Sequence, residues 1–187
     1  MIDRTTFFTA ARTKPFGGFL PQQQVDGLSS ILDAWESASL QRDLRHIAYE
    51  LGTVYHETAT TMQPIAEYGH GNGRPYGHPD PVTRQVYYGR GYVQLTWKAN
   101  YAAMSPVVGE DLVANPDLAL EPAIAATIMF YGMEHGTFTG RKLADYFTAT
   151  GSDWITARRV INGLDCASAI ATYAQEFYSA LGGTGLN

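Results

Sequence analysis

Hydrophobic positions recur at helical spacing in four long stretches of the chain. Leu28, Ile31, Leu32 and Trp35 predict an amphipathic helix over about 22–38. Ile47, Leu51 and Val54, with Tyr55 beside them, predict a second over roughly 42–58. Pro122 suits the first turn of a helix running to about His135, with Ala123, Ile124, Ile128 and Met129 as core positions. Ala169, Ile170, Tyr173, Ala174, Phe177 and Leu181 form the last stripe, which Gly182 and Gly183 end. Shorter signals predict a helix around Ala99 to Met104 and another capped by Asp153 and running through Val160.

From Pro64 to Gly91 the pattern breaks. Gly69, Gly71, Gly73, Gly77, Gly89 and Gly91, with Pro75, Pro79 and Pro81, forbid long helices there. Val82 to Tyr88 and Gln94 to Trp97 predict short strands or hairpin arms. A loop region of this length in a compact domain is usually functional or mobile. The chain therefore reads as mainly helical, with one Gly/Pro-rich region rich in polar side chains. No internal repeat, linker or low-complexity segment divides residues 1–187, so the expectation is one domain without a separate binding module.

Composition narrows the partners. A net charge of −5 without a Lys/Arg cluster argues against nucleic acid, and against strong attraction to anionic envelopes. No stretch approaches the ~20 apolar residues of a membrane span, so no stable membrane association is expected. Asp3 stands where a secretory signal needs basic residues, and no long apolar core follows, which predicts synthesis in the cytoplasm. Cys166 is the single cysteine and reads as a small packed hydrophobe rather than a nucleophile. A monomer is the default expectation.

The candidate chemistry lies in two motifs. His56-Glu57-Thr58 ends the second predicted helix, and Tyr88-Gly89-Arg90-Gly91-Tyr92-Val93-Gln94-Leu95-Thr96 follows about thirty residues later. Glu57 comes just after an apolar face, and burial disfavours the ionised form of a carboxyl, as a general acid requires. Cutting a glycosidic bond needs a second carboxyl. Glu67, ten positions on and beyond Pro64, is one candidate; Asp80, at the far end of the same loop, is the other. Asp26, Asp33, Glu36 and Asp43 read as solvated helix faces.

Zinc is disfavoured, because a His-Glu-x-x-His site would need histidine where Thr60 stands, and His70 and His78 lie in a Gly-rich loop. No cofactor is expected. Most of Tyr68, Tyr76, Tyr87, Tyr88, Tyr92, Tyr101 and Trp97 read as packing, with two or three available to stack on sugar rings. Arg90 reads as a structural tie between the loop and a carboxylate. A non-catalytic sugar-binding module would keep the aromatics but would not need Glu57 and Glu67 together.

These residues resemble the family 19 glycoside hydrolases, the chitinases and the chitinase-like endolysins of bacteriophages. His56-Glu57-Thr58 is similar to the family's His-Glu-Thr. Tyr88 to Tyr101 is similar to its Gly-Arg-Gly-x-x-Gln-Leu-Ser/Thr-x-x-x-Asn-Tyr signature, and Arg158 to Cys166 to its Ile-Asn-Gly-Gly segment, without the second glycine after Gly163. The resemblance covers roughly residues 40–180.

It implies a two-lobed, lysozyme-like fold with a small β-hairpin and loop region beside the cleft. It also implies an inverting hydrolysis of β-1,4 bonds. By that match Glu57 is the general acid, and Thr96 holds the attacking water. Gln94, Asn100 and Asn162 bind sugar, with His56 and Tyr88 beside them, while a nearby arginine, Arg159, faces the acid. Plant-type members place the second Glu about twenty residues after the first, where this chain has Pro79 and Asp80. The endolysin branch places it about ten on, where Glu67 stands. That spacing favours peptidoglycan glycan strands over chitin as substrate, with N-acetylmuramidase action on the wall after release from the cytoplasm.

Overall fold

The computed structural model describes residues 1–38 and 43–185. Among the described residues, six α-helices form the framework: α1 (Arg4–Thr13), α2 (Gln22–Ser37), α3 (Leu44–Glu57), α4 (Lys98–Val108), α5 (Pro122–His135) and α6 (Ala167–Ala180). Four helices follow the predicted stripes closely. The predicted start of α3 at residue 42 lies outside the described residues, and Asp43 caps the helix by accepting the Arg45 amide. Pro122 occupies the first turn of α5, and left-handed Gly136 closes it. Helix α4 runs four residues beyond the expected Met104, through Pro106, and stops at left-handed Gly109.

Several expectations need correction. Helix α1 has no clean stripe: its four threonines and adjacent Phe7 and Phe8 bury only Phe7 and Ala11, while Asp3 caps it through the Thr6 amide. Ala123 and Ala169 are exposed; Ala125 and Ala126 on α5, and Ala167 and Ala171 on α6, take the core positions. Asp153 does accept from the Thr156 amide, but a 3-10 turn over Thr156–Val160 follows rather than an α-helix. The segment from Val82 to Tyr88 is not a strand. Asp80 draws the Val82 and Thr83 amides onto its carboxylate, and its own amide pairs with the Gln85 carbonyl, so a turn consumes the ladder groups. Gln94 to Trp97 contributes one bridge, Leu95 to Arg90, because Gln94 is left-handed (φ 56°).

Two small antiparallel pairs remain. Strands β1 (Ile65–Ala66) and β2 (Arg90–Gly91) pair Ile65 with Gly91 and Ala66 with Arg90, closing the Gly-rich region at its base. Strands β3 (Phe147–Thr148) and β4 (Gly151–Ser152) form a tight hairpin. One hydrophobic cluster joins all six helices. Its densest contact is α3 on α6, where a Cβ built on Gly52 would stand 2.7 Å from the Ala174 backbone nitrogen.

One core group is costly. Glu50, on α3, is fully buried, and neither carboxylate oxygen has a hydrogen-bond partner among the described residues. Glu134 lies nearby and is held by His46 Nδ1 at 2.7 Å. Burial first, and then the Glu134 charge, push the Glu50 carboxyl well above its ordinary range. The unfolded chain ionises Glu50 above about pH 4.5 while the folded chain resists, so this site weakens stability as pH rises from there. Glu50→Leu should raise unfolding free energy at pH 7 by about 2 kcal/mol. The gain should shrink in denaturant melts at pH 4, and a gain equal at both pH values would contradict a neutral buried carboxyl.

Candidate active site

Helix α3 ends on Glu57, and the next residue anchors the turn that follows. Thr58 is fully buried; its hydroxyl donates to the Val54 carbonyl at 2.7 Å and accepts the Met62 amide at 3.1 Å. The His-Glu-Thr tripeptide thus divides its work, with threonine fixing the helix end and glutamate projecting from it. Glu57 Oε1 accepts from Arg158 Nη1 at 2.7 Å, and 18% of the Glu57 side chain remains exposed. Arg158 is buried on the 3-10 turn. Its Nε donates to the Asp165 carbonyl, and its Nη2 stands 3.7 Å from Asp165 Oδ2.

The arginine facing the acid is therefore Arg158, one residue before the expected Arg159. Within the Thr156–Val160 turn, Ala157, Arg158 and Val160 point inward, and Arg159 points to solvent. No hydrophobic stripe marked the phase of so short a turn, so two adjacent arginines could not be told apart by sequence.

Glu67 follows β1 and is held on both oxygens. The Gly89 amide donates to Oε2 at 3.0 Å, and the Tyr76 hydroxyl donates to Oε1 at 2.9 Å. The backbone reinforces this, with the Glu67 amide donating to the Gly89 carbonyl at 2.7 Å. Tyr76 appeared in sequence only as one aromatic among several, and nothing local linked it to a carboxylate nine residues earlier.

Asp80 has a different environment. Its Oδ1 accepts from the Val82 and Thr83 amides, the Thr83 hydroxyl and Lys98 Nζ, and its Oδ2 also meets Lys98. The Thr83 amide and then Lys98 hold its carboxyl down to about 2. Asp80 fastens its turn to the start of α4.

The signature residues do much structural work. Gln94 Nε2 donates to the carbonyls of Ile65 and Gly91, tying the β1–β2 pair, so only Oε1 is left for a ligand. Asn100 Nδ2 is committed to the Thr96 carbonyl. Arg90 is buried and ties its loop together, reaching Asp117, the Val86 and Tyr88 carbonyls and the Tyr101 hydroxyl, as a structural reading expects. Tyr88 uses its ring internally, stacked on His70 at 4.5 Å and beneath the Arg90 guanidinium at 3.6 Å. Thr96 and His56 make no side-chain hydrogen bond among the described residues, which leaves both free for a ligand or water. Asn162 is exposed and its Oδ1 accepts only the adjacent Gly163 amide. Trp97, half-exposed, packs edge-on to Tyr76 at 5.3 Å.

The arrangement holds two carboxyls by unlike means, one by a guanidinium at a helix end and one by neutral donors on a loop. Removing Arg158 leaves Glu57 at the negative end of α3 without its cation. Arg158→Ala should cost about 2 kcal/mol in urea denaturation, while Arg159→Ala should stay within about 0.5 kcal/mol. Equal losses would mean that the ion pair contributes nothing beyond a surface charge.

Comparison with known proteins agrees with this architecture. The model of the family described as Chitinase class I matches residues 44–139, just over half of the chain. Chitinase 2 of Oryza sativa subsp. japonica is 30% identical over 139 residues, covering 60% of this chain and 41% of its own length. Endochitinase A2 of Pisum sativum is 34% identical over 94 residues, 43% of this chain and 29% of the relative. The chain thus spans less than half the length of these curated relatives. Among solved structures, chitinase C from Streptomyces griseus HUT6037 superposes with a TM-score of 0.64 at 21% identity, over all of this chain and 78% of that one. A class IV chitinase from Zea mays gives 0.61 at 19% identity, over 95% and 91%. These likenesses establish the mainly helical, lysozyme-like fold. With the His-Glu-Thr helix end and the Gly-Arg-Gly loop lying inside the matched region, the chain belongs to glycoside hydrolase family 19, the class I chitinase family.

Proposed function

We propose that the protein is a glycosidase that hydrolyses β-1,4 bonds of an N-acetylglucosamine-containing glycan with inversion. One observation carries the reading: two carboxyls ten residues apart in sequence lie on separate elements, each with its own fixed partners. Glu57 gives its proton to the leaving glycosidic oxygen as the bond to the anomeric carbon breaks. Glu67 takes a proton from a water whose oxygen attacks the opposite face of that carbon. Such a pair works at about 6.5–9.5 Å, with the water between. After transfer, Arg158 stabilises the Glu57 carboxylate. The free hydroxyl of Thr96 suits a contact to the water, and Gln94 Oε1, Asn100 and Asn162 offer polar groups to hydroxyl and acetamido substituents. The reading prefers Glu67 to Asp80 as base, because turn amides and Lys98 occupy the Asp80 carboxylate.

The substrate we propose is peptidoglycan, cleaved after N-acetylmuramic acid, as the ten-residue spacing of the two carboxyls implies by resemblance to the endolysin branch. Chitin is the second reading, favoured by the names of the matched relatives.

Glu57→Gln should keep the fold and lower hydrolysis at least a hundredfold, and Glu67→Gln should do nearly the same. Asp80→Asn should retain most activity at neutral pH; a loss as deep as that of Glu67→Gln would move the base role to Asp80. Mass spectrometry of fragments from purified peptidoglycan and colloidal chitin separates the substrates. Reducing muramic ends establish a muramidase, and chitin oligosaccharides with intact peptidoglycan establish a chitinase.

A further inference from the structure

We propose that Tyr76 is a positioning residue that holds the Glu67 carboxylate in the orientation needed to accept a proton from water. The inference rests on the reading of Glu67 as base. Each oxygen of Glu67 has one donor, the Tyr76 hydroxyl on Oε1 and the Gly89 amide on Oε2. Two donors on different oxygens fix the plane of the carboxylate. The lone pairs left over can meet a water.

The chain is built to bring this hydroxyl back to Glu67. Four successive four-residue turns span the interval, the amides of His70, Asn72, Arg74 and Gly77 donating to the carbonyls of Glu67, Gly69, Gly71 and Arg74. Gly69, Gly71 and Gly73 take left-handed φ values of 81°, 75° and 75° within these turns. The loop then closes on itself without side chains. A Cβ on Gly77 would fall 1.8 Å from the Gly71 carbonyl oxygen, and one on Gly71 would press the Tyr76 ring at 3.2 Å. Trp97 supports the ring from its edge. Burial, then the bond to Glu67, push the Tyr76 phenol up, so it stays a proton donor through neutral pH.

The test is Tyr76→Phe, which deletes one hydroxyl from a half-buried ring and keeps its packing. We expect kcat on the glycan substrate to fall about tenfold, the size of one hydrogen bond to a charged group. KM should change less than about twofold, and the melting temperature should hold. In a Glu67→Gln background the same change should add no further loss. Wild-type kcat in Tyr76→Phe, with Glu67→Gln inactive, would overturn the role of Tyr76. A loss confined to KM would also overturn it, by making the ring a substrate contact. Full activity in Glu67→Gln would instead remove the base, and with it the reading beneath this proposal.

Discussion

The close approach of α3 and α6 is the constraint on which the rest depends. Gly52 has no side chain because the Ala174 backbone occupies that space: a Cβ would lie 2.7 Å from its nitrogen and 2.9 Å from its Cα. Small residues at a helix crossing let backbones meet, and the large side chains on either side then interdigitate. Ile47, Leu51 and Val54 from α3 and Ile170, Ala171 and Phe177 from α6 are buried in the same cluster. Six residues past Gly52, Thr58 locks the end of α3 through Val54 and Met62. Because the turn bearing Arg158 packs against α6, with six residues between it and the start of that helix, the packing that fixes the two helices also constrains the distance between Glu57 and its guanidinium.

The Gly-rich region around Glu67 obeys a different physics. It has almost no regular structure, yet its polar backbone is well satisfied. Arg90 serves four acceptors, Gln94 bridges two carbonyls, and successive glycine turns lead from Glu67 to Tyr76. A region without a hydrophobic core of its own must be held by directed bonds. Strain is tolerated on the same terms. Trp97 sits at φ 69° and ψ 131°, and is held by donating its amide to Tyr87 while its carbonyl receives Asn100 and Tyr101.

This contrast explains what was legible in the sequence. Helices α2, α3, α5 and α6 announce themselves because burial on one face imposes a 3.6-residue period, and Pro122 and Gly182 mark ends for steric reasons. Glu57 was legible for the same reason, as the polar residue that ends a buried stripe. Helix α1 was not, because it buries only Phe7 and Ala11 and its threonines mask the period. Across the Gly-rich region, the composition of Gly and Pro excluded helices but could not state which turns form. The absent strand after Pro81 and the pairing of Tyr76 with Glu67 depend on side chain to backbone bonds that carry no period at all. Arg158 and Arg159 differ only in the phase of a single 3-10 turn.

The two carboxyls therefore inherit unlike tolerances. Glu57 is set by helix packing, so its position is coupled to the whole core and to a buried cation. Glu67 is set by two hydrogen bonds and a self-contacting loop, so its orientation can be altered without disturbing the core. On the roles proposed above, an acid that must meet a leaving oxygen at a fixed site gains from the first arrangement. A base that must accommodate a water and a large polymeric glycan gains from the second, since only local bonds need adjust when substrate enters. The fully buried Glu50 shows the cost of a polar group placed on the rigid side without partners. On the same helix, Glu57 avoids that cost by lying one turn beyond the core, where Arg158 can reach it.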